Sequence, residues 1–301
     1  MNHKKMFLLI PVLVFFVCAA FAQNSAEKTG ALLWKVSGNG LKAPSYIFGT
    51  HHAFPVSFLD SVAGVKQAFA NCEQMVGEMV MTDMAAMTVE IQKAGMIPKD
   101  TTWQMLLSEN DYRLVDELLT AFFGAGLQAF GVFKPSMVGL TYMNVFFQKL
   151  FPQMVTEVGM DLWFQQQSES RGIPIIGLET LQDQMAVFDV QTLKQQAADL
   201  VCSLQNTDHA EINARKLSRL YRSADLTGLE AMLREDGPCP MSAEQGIALN
   251  DARNERWLKK LPAIMHEKST FVAVGSLHLP GDAGLLVGLE KAGYTVEAVK
   301  N

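Results

Sequence analysis

The chain is sparing with charge and with cysteine. Charged residues make up 19% of the 301 residues, four residues are cysteine, and the formal net charge is −6. An acidic chain presents no electrostatic footprint for a phosphate backbone, which excludes nucleic-acid partners. None of the cysteine spacings is that of a zinc finger, and there is no low-complexity segment or short tandem repeat. A hydrophobic content of 49% places the chain among globular proteins.

The apolar run at residues 6–17 is shorter than the roughly 20 residues that span a bilayer. It follows Lys4 and Lys5 and precedes Ala20-Phe21-Ala22, the small-residue pattern of a secretory signal. Val17 stands where a lipidated Cys18 would need a small residue before it. Residues 1–22 are therefore read as a cleaved signal and residues 23–301 as one exported domain, periplasmic or secreted, with no stable membrane span. Loss of Lys4 and Lys5 takes the charge from −6 to −8. An oxidising compartment permits one disulfide among the remaining cysteines. Cys202 and Cys239, the latter flanked by Pro238 and Pro240, are the expected pair, and Cys72 is expected to be a small buried side chain.

Patterning predicts strands near both ends and helices between them. Residues 31–36 and 45–49 read as strands joined by Ser37-Gly38-Asn39-Gly40, a hairpin signal. A helix over 58–70 and a strand over 74–81 follow, the second half of a βαβ step. Residues 82–171 read as a helical insertion, within which 137–151 is apolar on nearly every side, as in a buried helix or one that covers a ligand. A short strand over 173–178 precedes helical residues 181–235. A helix over 242–266 with Ser242 as N-cap, a strand over 270–274, a helix over 284–292 and a strand over 294–299 complete the chain. The fold class is thus α/β, with a mixed central sheet.

The first and last thirds share a plan. Tyr46-Ile47-Phe48-Gly49-Thr50-His51-His52 closes one strand and Phe271-Val272-Ala273-Val274-Gly275-Ser276-Leu277-His278 another, so the sheet reads as two related halves. Chance supplies about 0.4 Gly-x-x-His matches in this composition; two occur, both at strand ends. Ligands of α/β sheets collect at the carboxyl ends of strands, and glycine there lets the chain turn so that a histidine three residues on points back over the edge. Imidazole is the commonest metal ligand, which makes His52 and His278 candidate ligands. His51 is expected to point the other way or to act behind the ligands; His209 and His266 read as solvated.

Glu78 and Glu179 follow apolar strands, where an acid is costly to desolvate unless it meets a cation, although Glu179 could instead cap the next helix. Asn250, Arg253, Asn254 and Trp257 share one helix face. Arg253 there either holds a substrate oxyanion or pairs with a structural acid.

These strings, together with Gly177-Leu178-Glu179-Thr180 and Gln184, Arg253-Asn254, Val274-Gly275-Ser276-Leu277-His278-Leu279-Pro280-Gly281, Lys134-Pro135 and the ending Gly293 to Val296, closely resemble the TraB/GumN family, which includes Tiki-type metalloproteases. The resemblance covers nearly the whole mature chain. It implies a fold similar to the erythromycin-esterase and ChaN-like group and metal-dependent cleavage, with His52 and His278 matching the family histidines and Glu78 its acidic strand end. The expectation that follows is a hydrolase of peptide or small amide substrates. His52, Glu78 and His278 hold a divalent metal (Zn, Mn or Co), Glu179 serves as general base or fourth ligand, and Arg253 and Asn254 steady the oxyanion. The alternative is a non-catalytic protein of the same fold that sequesters a peptide or haem in the Met-rich and Phe-rich helical region.

Overall fold

Six strands form one mixed sheet in the order β4-β3-β5-β2-β1-β6 in a computed structural model that describes residues 30–300 apart from Asp236. The expected signal lies outside the described residues. The strands are β1 (Leu33–Gly38), β2 (Ser45–Thr50), β3 (Gln74–Gly77), β4 (Ile175–Gly177), β5 (Thr270–Gly275) and β6 (Tyr294–Ala298). The expected hairpin joins β1 to β2, with Gly38, Asn39 and Gly40 all at positive φ. β1 is the one reversed strand, since β2, β5, β3 and β4 pair in parallel and β6 runs antiparallel to β1.

β5 sits at the centre. Its first five residues are buried, which is why it reads as an unbroken apolar run, whereas the edge strand β6 alternates in exposure. The two motif-bearing strands, β2 and β5, are immediate neighbours, paired with Thr50 opposite Gly275. The βαβ step from β2 to β3 straddles β5 instead of joining adjacent strands. Strand insertion by a segment from the far end of the chain is a long-range event that local patterning does not report.

Several boundaries differ from the sequence reading. The helix expected over 58–70 is a 3₁₀ turn (Val56–Ser61) and a helix (Val65–Asn71), divided at Gly64 with φ 72°. β3 stops at Gly77 because the chain bends there, and Glu78 therefore lies beyond the strand. The main core packs both faces of the sheet, with Phe48, Phe164, Phe271, Trp257 and Tyr221 fully enclosed. A second apolar cluster joins the helical insertion to the later helix Leu193–Gln205 through Trp103, Val115, Leu119, Val138, Tyr142, Leu200 and Leu204.

The helix Pro135–Leu150, expected to be buried or to cover a ligand, buries Pro135, Val138 and Tyr142 and leaves Leu140 exposed. Its apolar residues run round the whole circumference, and the second cluster contacts one side. Its start follows the sequence: Lys134 is the N-cap, Pro135 occupies the first turn, where no backbone donor is lost, and the Lys134 ammonium meets Asp189 at 2.7 Å. Among the described residues no helix is long and apolar enough to cross a membrane.

Cys202 and Cys239 are joined, as expected, at a Cα–Cα distance of 5.8 Å, and Cys72 is a free buried thiol. The crosslink closes a loop of sequence separation 37 just before the helix that carries Arg253. Cys202→Ser or Cys239→Ser is expected to lower unfolding free energy by about 3 to 4 kcal/mol, as loop-closure entropy requires. Urea denaturation with and without reductant checks this, and identical midpoints would show the crosslink to be energetically idle.

Candidate active site at the carboxyl rim of the sheet

The four parallel strands end in a common pattern: glycine at or next to the last strand position, then the candidate side chain. Gly49 precedes His52, Gly77 precedes Glu78, Gly177 precedes Glu179 and Gly275 precedes His278. The glycines of the two histidine motifs were expected to allow sharp turns. Neither has positive φ, and their use is close approach. A Cβ on Gly49 would stand 2.7 Å from Leu279 Cδ1 and 3.0 Å from Ser276 Cα; one on Gly275 would stand 3.2 Å from Glu78 Oε1. A side chain at Gly49 would force Leu279 and the Ser276 backbone to give way, and one at Gly275 would press on the Glu78 carboxylate.

Arg253 gathers the rim. Its Nε donates to both oxygens of Glu179 (3.0 and 3.1 Å), and its NH2 donates to Glu179 Oε1 and Glu78 Oε2, both at 2.6 Å. NH1 donates to the Leu249 carbonyl at 3.2 Å and to His278 Nε2 at 3.1 Å. All five guanidinium N–H groups are engaged, and a planar fork is the side chain able to do this. A π-helical turn, Ile247–Asp251, precedes the helix Ala252–Glu267, so the seam lies one residue before Arg253, where such bulges recur at functional sites.

The tautomer of His278 follows from its partners. Arg253 only donates, so Nε2 is the acceptor, and Nδ1–H donates to Asn254 Oδ1 at 2.7 Å. Asn254 is fixed in turn by donating to Asn250 Oδ1, the His278 carbonyl and the Ala283 carbonyl. The His278 ring packs on Trp257 with centroids 4.4 Å apart. Burial, seconded by Arg253, pushes His278 down to about 4, which keeps it neutral. Burial alone would push the Glu78 carboxyl up; the Arg253 guanidinium and the Gly275 N–H (2.8 Å) outweigh it and hold Glu78 below its usual range.

His52 stands apart from this buried cluster. Its side chain is 75% exposed, and its Nδ1 pairs at 3.1 Å with Asp161 Oδ2. The Asp161 bond raises its pKa, and solvent around the ring screens what that pairing adds to stability. His51 points the other way, as one of the two expectations held, between Phe54 and Tyr221, with Nδ1 accepting from the Ala53 N–H. His266 is exposed, and His209 is half-buried against Gly237.

Of the six candidate residues, Glu78, Glu179, Arg253, Asn254 and His278 meet in one hydrogen-bonded cluster, and His52 sits at the end of the strand beside it. Glu179 is not a helix cap, a role taken by Thr180 with Asp183. Its oxygens are occupied by Arg253 and by Trp257 Nε1 at 3.2 Å. Asp161 was missed: it lies in the first turn of the helix Met160–Arg171, within residues whose sequence reads only as helical. Among the described residues no three His, Cys, Asp or Glu side chains are gathered closely enough to hold a metal ion as the rim stands. His278 Nε2 and Glu78 Oε1 are 4.0 Å apart, and the guanidinium of Arg253 bonds to both residues.

Two stability predictions follow from this burial. Arg253→Met leaves two buried carboxylates without their cation and is expected to cost about 3 to 5 kcal/mol, measured by chemical denaturation; a loss under about 1 kcal/mol would mean the cluster is solvated. The second concerns pH. His51 and His278 are both lowered to about 4 by burial from an ordinary 6.5, so between those values the unfolded chain binds protons that the folded chain refuses. Stability of the metal-free protein should therefore be fully present above about pH 6.5 and fall by about 3 kcal/mol per ring as pH drops to about 4. His52, raised by Asp161, acts in the opposite sense and loses its contribution as pH rises through its folded pKa. A flat acid limb in denaturant titrations would contradict the buried neutral rings.

No curated protein matches the chain, and neither does any solved structure. The sequence profile of the TraB/PrgY/gumN family matches residues 32–298, from the strand that pairs with β2 to the end of β6. That match takes in every element that builds the rim, and the chain belongs to the TraB/PrgY/gumN family.

Proposed function

We propose that this chain is an exported, metal-dependent hydrolase of peptide or small amide bonds, on a fold related to the erythromycin-esterase and ChaN-like group, with its active centre at the carboxyl rim of the sheet. One observation carries the reading. The two Gly-x-x-His histidines end adjacent parallel strands, and each has Nδ1 anchored by a side-chain oxygen, Asp161 for His52 and Asn254 for His278. An anchored Nδ1–H makes Nε2 the basic nitrogen, the arrangement usual for metal-ligating imidazoles. The disulfide accords with export.

The donor set suits a divalent ion of the Zn, Mn or Co type in kind: two imidazoles and a carboxylate, His52, His278 and Glu78. A metal there would supply Lewis acidity and a bound water with pKa lowered to about 7. The Nε2 lone pair of His278 serves one partner at a time, so a ligand role displaces the Arg253 NH1 hydrogen bond. That frees one guanidinium N–H to bind a substrate oxygen while Glu179 keeps the guanidinium plane in place. Glu179, with its side chain 2% exposed and both oxygens engaged, orients Arg253 instead of moving protons. Asn254 likewise orients His278. Glu78, facing a small cleft with Met79, Met81, Asp161 and Gln184, is the carboxylate with access to a bound molecule.

A second reading, a peptide or haem binder, draws on the incompletely covered helix Pro135–Leu150. Metal content separates the two. The purified mature protein should carry about one divalent ion per chain and lose peptidase turnover in chelator, and the His52→Ala/His278→Ala double variant should carry none. Equal metal in both proteins by elemental analysis would remove the metal site.

A further inference from the structure

We infer that Asp161, held by Thr50, is the positioning residue for His52, fixing its ring as the Nδ1–H tautomer over the rim; this rests on the rim being the active centre.

Three observations lead there. The first is an asymmetry of burial. Asp161 has a side-chain exposure of 18%, while the imidazole it pairs with is 75% exposed. In the structural pairing of this molecule, Arg253 with Glu179, both halves are enclosed, at 10% and 2%. A carboxylate taken from water solely to stabilise the fold gains most from an enclosed cation; here its partner is presented to solvent. The second is the completeness of its anchoring. Oδ1 accepts from Thr50 Oγ1 at 2.7 Å, leaving Oδ2 to accept from His52 Nδ1 at 3.1 Å. Thr50 is the last residue of β2, so the same strand end supplies both the histidine and the hydroxyl that orients the carboxylate.

The third is the attachment of the loop. The chain just past His52 is tied to the approach of the Asp161 helix by the Pro55–Gly159 bridge and by Ser57, whose N–H and Oγ donate to Glu157 at 3.0 and 3.1 Å. Asp161 also lies in the first turn of a 12-residue helix, where the dipole favours an anion. The His52–Asp161 pair thus repeats, from a different helix, what Asn254 does for His278. Two unrelated elements hold the two motif histidines by the same ring nitrogen.

The test reads the tautomer directly, without substrate or metal. In ¹⁵N-histidine spectra of the metal-free protein, recorded at alkaline pH where the rings are neutral and assigned by difference from His52→Gln, the His52 signals should report the Nδ1–H form. Asp161→Ala should shift them toward the Nε2–H form that free imidazole prefers, and Asp161→Asn, which retains an acceptor oxygen, should restore the native pattern. Thr50→Val should give an intermediate shift. A mixed-tautomer His52 in the unsubstituted protein, or no change in Asp161→Ala, overturns the inference; the spectrum of the unsubstituted protein decides even if Asp161→Ala does not fold. Zinc titration adds a second arm, in which Asp161→Ala should bind zinc 10- to 100-fold more weakly, roughly the usual loss for an orienting partner. If the unsubstituted protein takes no zinc while the tautomer pattern holds, the metal reading falls and the positioning role stands.

Discussion

The rim depends on one guanidinium. Glu78 and Glu179 leave two neighbouring parallel strands at the same level and would repel each other in a poorly solvated space. Arg253, delivered by a helix more than 70 residues later in the chain, bonds to both and to His278. An ammonium could neutralise one carboxylate, but it could not span two acids, an imidazole and a carbonyl with five fixed N–H directions. Burial of this many polar groups is tolerated because each has a partner. The same completeness makes the cluster sensitive to any change at its centre.

Around that cation the molecule uses two kinds of histidine. His278 is enclosed, neutral and packed at a tilt on Trp257, while His52 is open to solvent and backed by a carboxylate. One ring is thus locked in place and the other faces outward. The glycines at the strand ends permit the crowding, since β2 and the loop after β5 approach within the radius of a methyl group at Gly49. The helices contribute to the rim through Asp161, at the start of one helix, and through Gln184, whose amide donates to Glu78 at 3.2 Å.

Much of this was legible in the residues. The α/β class, the mixed sheet and the hairpin at Gly38 to Gly40 follow from periodicity and turn chemistry, the Cys202–Cys239 pair from an oxidising compartment and the flanking prolines, and the five clustered polar residues from a Gly-x-x-His strand end, acids stranded after apolar runs and a shared helix face. These are local signals, each confined to a few neighbouring positions. What local signals missed is equally specific. Helix Pro135–Leu150 was read as buried or ligand-covering because its composition is apolar, and composition does not say how many neighbours a helix has. Nor do local signals say what the side chains of Glu179 and Asn254 meet, which is Arg253 and Trp257 for the first and Asn250 and His278 for the second.

By itself the sequence determined that two Gly-x-x-His motifs would end strands, that acids and an arginine would accompany them, and which two cysteines would join. Only the tertiary structure decided that β5 inserts between β2 and β3, bringing the motifs side by side, that Arg253 is the cation the acids meet, and that Asp161 stands behind His52. The reason is physical. Strand ends and turns are set by neighbours in the chain, whereas charge pairing across a rim is set by which distant segments the packed sheet and helices bring within about 3 Å of one another.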